Sequence, residues 1–178
     1  DHLPKRKEAL KKIVSIFSKE TLFISTTGKL SRELYEIRKN SNEECNDLYV
    51  VGGMGHASAI SAGMLNKVKE KTIVCLDGDG SVLMHMGSLA TLANIKTKKF
   101  FHIIFNNSAH ESVGGQPTIY NMLDMKNLYS ALGYKKVIEI ENLDDIDKLD
   151  VLNTQSHILI QINVQNSSDK NLMRPDKS

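Results

Sequence analysis

The stretch Val74–Leu89, VCLDGDGSVLMHMGSL, decides how the chain is to be read. An apolar run closes on Asp77-Gly78-Asp79-Gly80, and an amphipathic run follows at once. A buried strand that breaks into glycines and then into a helix is the strand-to-helix turn of an α/β sheet. Such a turn presents free backbone N–H groups and the positive end of a helix, which together favour an anion such as phosphate. Two acids and two glycines at a strand end are also an ordinary turn. What sets this one apart is a second stretch, FHIIFNNSAHESVGGQPT (101–118), where another apolar run ends in Asn106-Asn107.

Working outward, apolar runs alternate with helical periodicity. Leu10, Ile13, Val14 and Phe17 predict a first helix over Pro4–Phe17, with Pro4 in its first turn. TLFIST (21–26) is a short strand ending at Thr26-Thr27-Gly28, and Leu30, Leu34 and Ile37 mark a second helix. LYVVGGMG (48–55) breaks into glycines ahead of a small-residue helix, HASAISAGMLNKV (56–68). KTIVCLDGDG (71–80) is followed by one predicted helix from Ser81 to Ile95, and KFFHIIFNN (99–107) by a loop with Gly114, Gly115 and Pro117. A helix over Met125–Leu132, a strand at KKVIEI (135–140), a helix over Leu143–Val151, a strand at SHILIQINV (156–164) and a frayed polar tail from Asn166 complete the pattern.

Strands that alternate with helices imply a three-layer, doubly wound parallel sheet, and strands apolar throughout imply that both faces are covered. Ligands bind such sheets beyond the carboxyl ends of the strands. Here Thr26-Thr27-Gly28, Gly52-Gly53-Met54-Gly55, Gly78-Asp79-Gly80-Ser81 and Asn106-Asn107 all fall at those ends. They are predicted to converge on one edge.

Composition narrows the function. The chain of 178 residues is expected to form a single domain, without internal repeat or linker. A net charge of +2 with dispersed lysines argues against a nucleic-acid partner, and PKRKEALKK (4–12) is expected to be the solvated face of the first helix. The two cysteines, Cys45 and Cys75, form no C-x-x-C pair, which argues against zinc, an iron–sulfur cluster or disulfides and fits a reducing cytoplasm. No apolar run spans a membrane and no signal peptide is visible. The chain begins at Asp1 rather than Met, as a piece of a longer protein would.

Neither G-x-x-x-x-G-K-[ST] nor G-x-G-x-x-G occurs, so the usual nucleotide loops do not apply. An acid beside a phosphate site points instead to a divalent cation. Mg²⁺ takes oxygen ligands in octahedral geometry, and Asp79, an amide of Asn106-Asn107 and a diphosphate would supply them. Gly78-Asp79-Gly80, then 25 residues (Ser81 to Phe105), then Asn106-Asn107 resembles the thiamine diphosphate-binding motif. The interval is that of one helix and one strand, so both halves reach the same edge.

The resemblance runs from about Leu22 to Val164 and is to the diphosphate-binding half of the thiamine diphosphate-dependent 2-oxoacid decarboxylases. GGMGHASAISAGM, LDGDGSVLMHMGSLATLA and NNSAHESVGGQPT are most similar to phosphonopyruvate decarboxylases, then to sulfopyruvate decarboxylase β subunits. GGQ also echoes 2-oxoacid oxidoreductase β subunits, whose cluster-binding cysteines this chain lacks. The resemblance implies thiamine diphosphate and Mg²⁺ as cofactors and a small 2-oxo acid as substrate. It implies Asp79, Asn107 and the backbone carbonyl of Ala109 as metal ligands. Gly78 belongs to the motif, Gly80 and Ser81 bind the diphosphate, and Thr27, Gly28 and Ser112 add contacts. The Gly52 carbonyl accepts from the cofactor's exocyclic amine, and Met54 holds its two rings bent. His110 and Glu111 follow the metal loop directly and are the candidates for proton donor or substrate contact; a solvated loop is the alternative.

The family's activating glutamate belongs to a pyrimidine-binding domain, for which this chain has no room. The resemblance therefore implies such a domain in cis or in trans, and a homo-oligomer whose interface takes in the helix at ASAISAGM. Two other functions compete: a non-catalytic thiamine diphosphate or nucleotide sensor, and a flavodoxin-like binding protein whose GDG is a turn. His56 and His85 are expected to be structural, and His2, His102 and His157 carry no local signal.

Overall fold

Short β-rich runs and amphipathic segments fold as one doubly wound unit. The computed structural model describes residues 2–42, 45–68, 70–96, 99–151, 158–167 and 171–175. In chain order the strands are β1 (Leu22–Ser25), β2 (Leu48–Tyr49), β3 (Ile73–Gly78), β4 (Phe100–Asn106), β5 (Ala109–His110), β6 (Gln116–Pro117), β7 (Lys136–Ile140) and β8 (Ile158–Asn163). The helices are α1 (Arg6–Ile16), α2 (Lys29–Ser41), α3 (Ala57–Lys67), α4 (Asp79–Met84), α5 (Gly87–Ala93), α6 (Met125–Leu132) and α7 (Leu143–Asp147).

Six strands form a parallel sheet in the order β2-β1-β3-β4-β8-β7, while β5 and β6 make a separate antiparallel pair. The chain runs outward from β1 to β2, then crosses back to β3 on the other side. The strand order therefore reverses between β1 and β3, the place where doubly wound sheets open a crevice. Ser25 pairs with Leu76 and Gly78 with Phe105, which levels the ends of β1, β3 and β4.

The strands are buried on both faces, as their unbroken apolar runs require. Val74 and Leu76 point to one side, where Phe23, Phe101 and Ile103 meet Ala9, Leu10 and Ile13 of α1, Leu34 of α2 and Ile146 of α7. Ile73 and Cys75 point to the other, against Ala57, Ala62 and Leu65 of α3 and Leu92 of α5. Ile104 and Leu159 continue that face beneath Tyr129 of α6. Each fully buried Leu or Ile contributes about 1.5–3 kcal/mol through removal from water.

The structure departs from the sequence expectations in several places. Pro4 lies outside α1, whose N-cap is Lys5. LYVVGG forms only the two-residue β2, because the chain turns away at Val50 and leaves Val51 80% exposed. The helix expected over Ser81–Ile95 begins two residues earlier and is interrupted at His85, whose backbone (φ −145°) is not helical. The helix expected to reach Val151 stops at Asp147. In α3, Ala57, Ser58, Ser61 and Ala62 are buried within this chain, and Ser58 meets Ser88 of α5 at 2.5 Å. Those small residues thus serve the α3–α5 contact, leaving Ala59 and Gly63 on the outer face. Part of the tail lies outside the described residues; before it, Gln165 is tied down by the Pro4 carbonyl, to which its N–H donates at 3.0 Å. His157 also lies outside the described residues.

Candidate functional site

The crevice between β1 and β3 is tied together at its base by one hydroxyl. Ser81, in the first turn of α4, shares a hydrogen bond with Thr26 beyond β1 (Oγ–Oγ1 2.8 Å) and accepts one from the N–H of Gly55 (3.2 Å). One hydroxyl thereby links three strand ends. Gly28 adopts φ +114°, and a β-carbon there would lie 2.8 Å from Ser112 Oγ and 3.8 Å from Met54 Cε. A β-carbon at Gly80 would lie 2.7 Å from His110 Nδ1. Both positions need glycine: the first for its backbone angle, the second because an imidazole occupies the space.

Asp79 lies at the centre of the crevice and is 2% exposed. Its Oδ2 accepts from Thr118 Oγ1 at 2.6 Å, and the backbone N–H groups of Gly80 and Asn107 lie near enough to favour its ionised form. The last contact joins the two halves of the spaced motif directly. Burial pushes the Asp79 carboxyl above its ordinary range, although these donors pull it down. No side-chain cation pairs with it among the described residues. A buried carboxylate without a counter-charge, beside an amide oxygen, is the donor set of a hard divalent cation. Among the described residues Asn107 Oδ1 accepts from the Ala109 N–H alone (3.2 Å), so one lone pair remains for a metal. The residues present fit Mg²⁺.

The loop that carries Asn107 is held from two sides. Ser108 sits at φ +58°, uncommon for a residue with a β-carbon, and its N–H donates to Asn106 Oδ1 at 3.1 Å. After β5 the chain turns through Gly114 and Gly115 and returns as β6, which delivers Thr118 to Asp79. Glu111 accepts from Arg6 Nη1 (2.8 Å), Lys29 Nζ (3.2 Å) and Asn107 Nδ2 (3.3 Å). Arg6 also clasps Glu33 through Nε (2.8 Å) and Nη2 (3.1 Å). Burial alone would lower the Arg6 guanidinium, but Glu33 and Glu111 hold it above its ordinary value.

Thr27, Met54, Gly78, Asp79, Gly80, Ser81, Asn107, Ala109, His110, Glu111 and Ser112 thus line one pocket, with Gly28 against its wall. Gly52 does not line it; it stands on the exposed rim at φ +71°. His56 and His85 lie against each other, ring centroids 4.5 Å apart and planes tilted by 55°, and neither lines the pocket.

Several residues in or behind the pocket escaped the sequence. PKRKEALKK is not wholly a solvated face: Arg6 is 7% exposed and lines the pocket. Glu33 and Thr118 gave no signal either, since each acts through a partner distant in sequence. His102 is buried between the Tyr134 hydroxyl (Nδ1, 2.8 Å) and Asp77 Oδ2 (Nε2, 3.3 Å), bracing the strand that leads into Asp79. Its imidazole in an otherwise apolar strand was the available clue.

Comparison with known proteins gives the family. The family described as thiamine pyrophosphate enzyme, C-terminal TPP binding domain, matches residues 26–160. A phosphonopyruvate decarboxylase of Streptomyces viridochromogenes is 34% identical over 174 residues, covering 97% of this chain and 43% of that protein. The sulfopyruvate decarboxylase subunit beta of Methanocaldococcus jannaschii is 38% identical over 115 residues, 65% of this chain and 58% of that one. Its counterpart in Methanococcus maripaludis is 33% identical over 151 residues, 84% of this chain and 79% of that one. The chain therefore spans less than half the length of the phosphonopyruvate decarboxylases and most of a beta subunit. It belongs to the thiamine pyrophosphate enzymes, as their C-terminal TPP-binding domain.

Proposed function

We propose that this chain supplies the diphosphate- and metal-binding half of a thiamine diphosphate- and Mg²⁺-dependent 2-oxoacid decarboxylase. The observation that carries this is Asp79: a buried carboxylate with no cationic partner among the described residues, joined to Asn107 across two strand ends. Asp79, Asn107 Oδ1 and the carbonyl of Ala109 would hold the metal. First-turn N–H groups of α4 lack intrahelical acceptors and, with Thr27, Gly28 and Ser112, would hold the diphosphate. The cofactor, when bound, supplies the electron sink for carbon–carbon cleavage. Met54 would support its two rings and the Gly52 carbonyl would accept from its amine. His110, whose imidazole fills the space beside Gly80, would move a proton at the substrate carbon. The relatives' names favour a 3-substituted 2-oxo acid, phosphonopyruvate first (giving phosphonoacetaldehyde and CO₂) and sulfopyruvate second.

The domain comprises the whole chain, and a pyrimidine-binding domain completes the site in cis or in trans. One relative is a longer single chain and another is named as a beta subunit, which leaves room for either arrangement. Val113, at the pocket, is 69% exposed, and Val51 and Met84, on the segments after β2 and β3, are 80% and 59% exposed, apolar surface for such a domain to cover. A homo-oligomer of composite sites in the cytoplasm completes the proposal.

The test is CO₂ release from phosphonopyruvate, sulfopyruvate and pyruvate, with thiamine diphosphate and Mg²⁺, with and without the pyrimidine-binding domain. Turnover only with the added domain is expected, fastest on phosphonopyruvate. Robust turnover by the 178-residue chain alone would show that the activating acid lies within it.

A further inference from the structure

Glu111 would be a natural choice for a proton donor, yet its surroundings argue for another role. Three donors on three elements converge on its carboxylate: Arg6 of α1, Lys29 of α2 and the Asn107 side chain. Oε2 receives both Arg6 Nη1 at 2.8 Å and Asn107 Nδ2 at 3.3 Å. An Asn side chain can present either its oxygen or its nitrogen, and the neighbouring acceptor decides which. With Nδ2 committed to Glu111, Asn107 turns Oδ1 the other way, where it meets the Ala109 N–H.

Resting on the proposed function above, we infer that Glu111 is a positioning residue: anchored by Arg6, it fixes the amide of Asn107 so that oxygen, not nitrogen, faces the metal position. The anchor is rigid because Arg6 is itself gripped by Glu33, which is 1% exposed. Arg6 lies on α1, ahead of the segment 26–160 that matches the family. A helix outside that segment thus sets the orientation of a ligand inside it. Partners of this kind, which orient a ligand without touching the metal, typically alter metal affinity by about 10–100-fold when removed.

The probe is Mn²⁺ in the presence of inorganic pyrophosphate, read by electron paramagnetic resonance on the full-length protein, so that no turnover is needed. Glu111→Ala should weaken Mn²⁺ binding by roughly tenfold or more. Glu111→Gln keeps an oxygen for Asn107 Nδ2 and should recover most of it. If Glu111 acts through Asn107, Glu111→Ala should cost little further affinity once Asn107→Ala is present, because coupled residues are not additive. Independent, fully additive losses would overturn the inference, as would parental affinity in Glu111→Ala. Thermal unfolding of each sample separates these outcomes from misfolding; should Glu111→Ala not fold, Glu111→Gln against Glu111→Leu makes the same comparison. A parent that binds no Mn²⁺–pyrophosphate would instead sink the functional proposal itself.

Discussion

Asn106 and Asn107 are neighbours in the chain, yet they belong to two different polar regions on the same edge of the sheet. Asn106 turns toward the ends of β8 and β7. Its Nδ2 donates to Asn121 Oδ1 (2.8 Å) and Asn163 Oδ1 (3.0 Å), and Asn163 donates to Glu139 (2.9 Å) and Glu141 (3.2 Å). Gln161 bridges the same carboxylate of Glu139 at 3.1 Å. Asn107 turns toward β1 and β3, where Asp79 is a buried carboxyl with no cation beside it among the described residues. Both regions are grooves lined by amides and acids. One is closed upon itself by mutual hydrogen bonds; the other is one charge short. That deficit, rather than polarity or the size of the groove, distinguishes a binding site from a well-satisfied surface.

The most damaging way to break this contrast is at Asp79. Asp79→Ala should lower Mg²⁺-dependent thiamine diphosphate affinity by roughly a hundredfold or more, with a native circular dichroism spectrum. Its charge has a second consequence. A carboxyl whose folded pKa lies above its unfolded value takes up a proton on folding, so its contribution is full below the ordinary Asp range and is lost as pH rises through the raised value. Metal-free parent protein should therefore lose stability over that window relative to Asp79→Asn, and saturating Mg²⁺ with pyrophosphate should offset the loss. Equal melting curves for parent and Asp79→Asn at every pH would remove the argument.

The paired asparagines sharpen the contrast most. Asn107→Ala should weaken metal binding severalfold or more while changing stability little. Asn106→Ala should do the reverse, costing about 1–3 kcal/mol in urea unfolding, because it strands the partners of a side chain that is 5% exposed. Swapped effects would mean that the two regions have been assigned the wrong way round.

Met54→Ala should lower turnover by about tenfold with a smaller change in cofactor affinity, since Met54 supports geometry while the diphosphate anchors binding. Unchanged turnover with a raised cofactor requirement would make Met54 simple packing. The smallest effect is expected at Asp124, on the far groove, whose Oδ1 caps α6 by accepting from the Asn127 N–H at 3.2 Å. Asp124→Ala should cost about 1 kcal/mol of stability and leave cofactor binding at parental strength, measured by the same titration.

What the sequence made legible was whatever depends on local periodicity and spacing. The order of strands and helices, and the meeting of Gly78-Asp79-Gly80 with Asn107, follow from apolar runs of fixed length joined by one helix. The break at His85 was hidden because Ser81–Ile95 keeps helical periodicity across it; the interruption comes from the backbone of one residue. Arg6 was hidden for a different reason. Lysines and arginines in a helix usually point to water, and only the tertiary approach of Glu33 and Glu111 makes its burial favourable. Thr118 likewise became visible only when a hairpin of two-residue strands brought it over Asp79. Pairings made across the fold leave no period along the chain.

The position of β8 has a consequence for how the molecule assembles. Although β8 is the last strand of the chain, it lies inside the sheet, between β4 and β7. On the ribosome, β7 emerges before the strand it pairs with, and it must wait while the edge of β4 stays unpaired. Docking of β8 satisfies both neighbours in a single late event, and parallel pairings of this range are intrinsically slow. Until then the nascent chain exposes Phe101, Ile103 and Phe105 along an open edge, so premature termination before Ile158 should yield an aggregation-prone fragment rather than a smaller folded one.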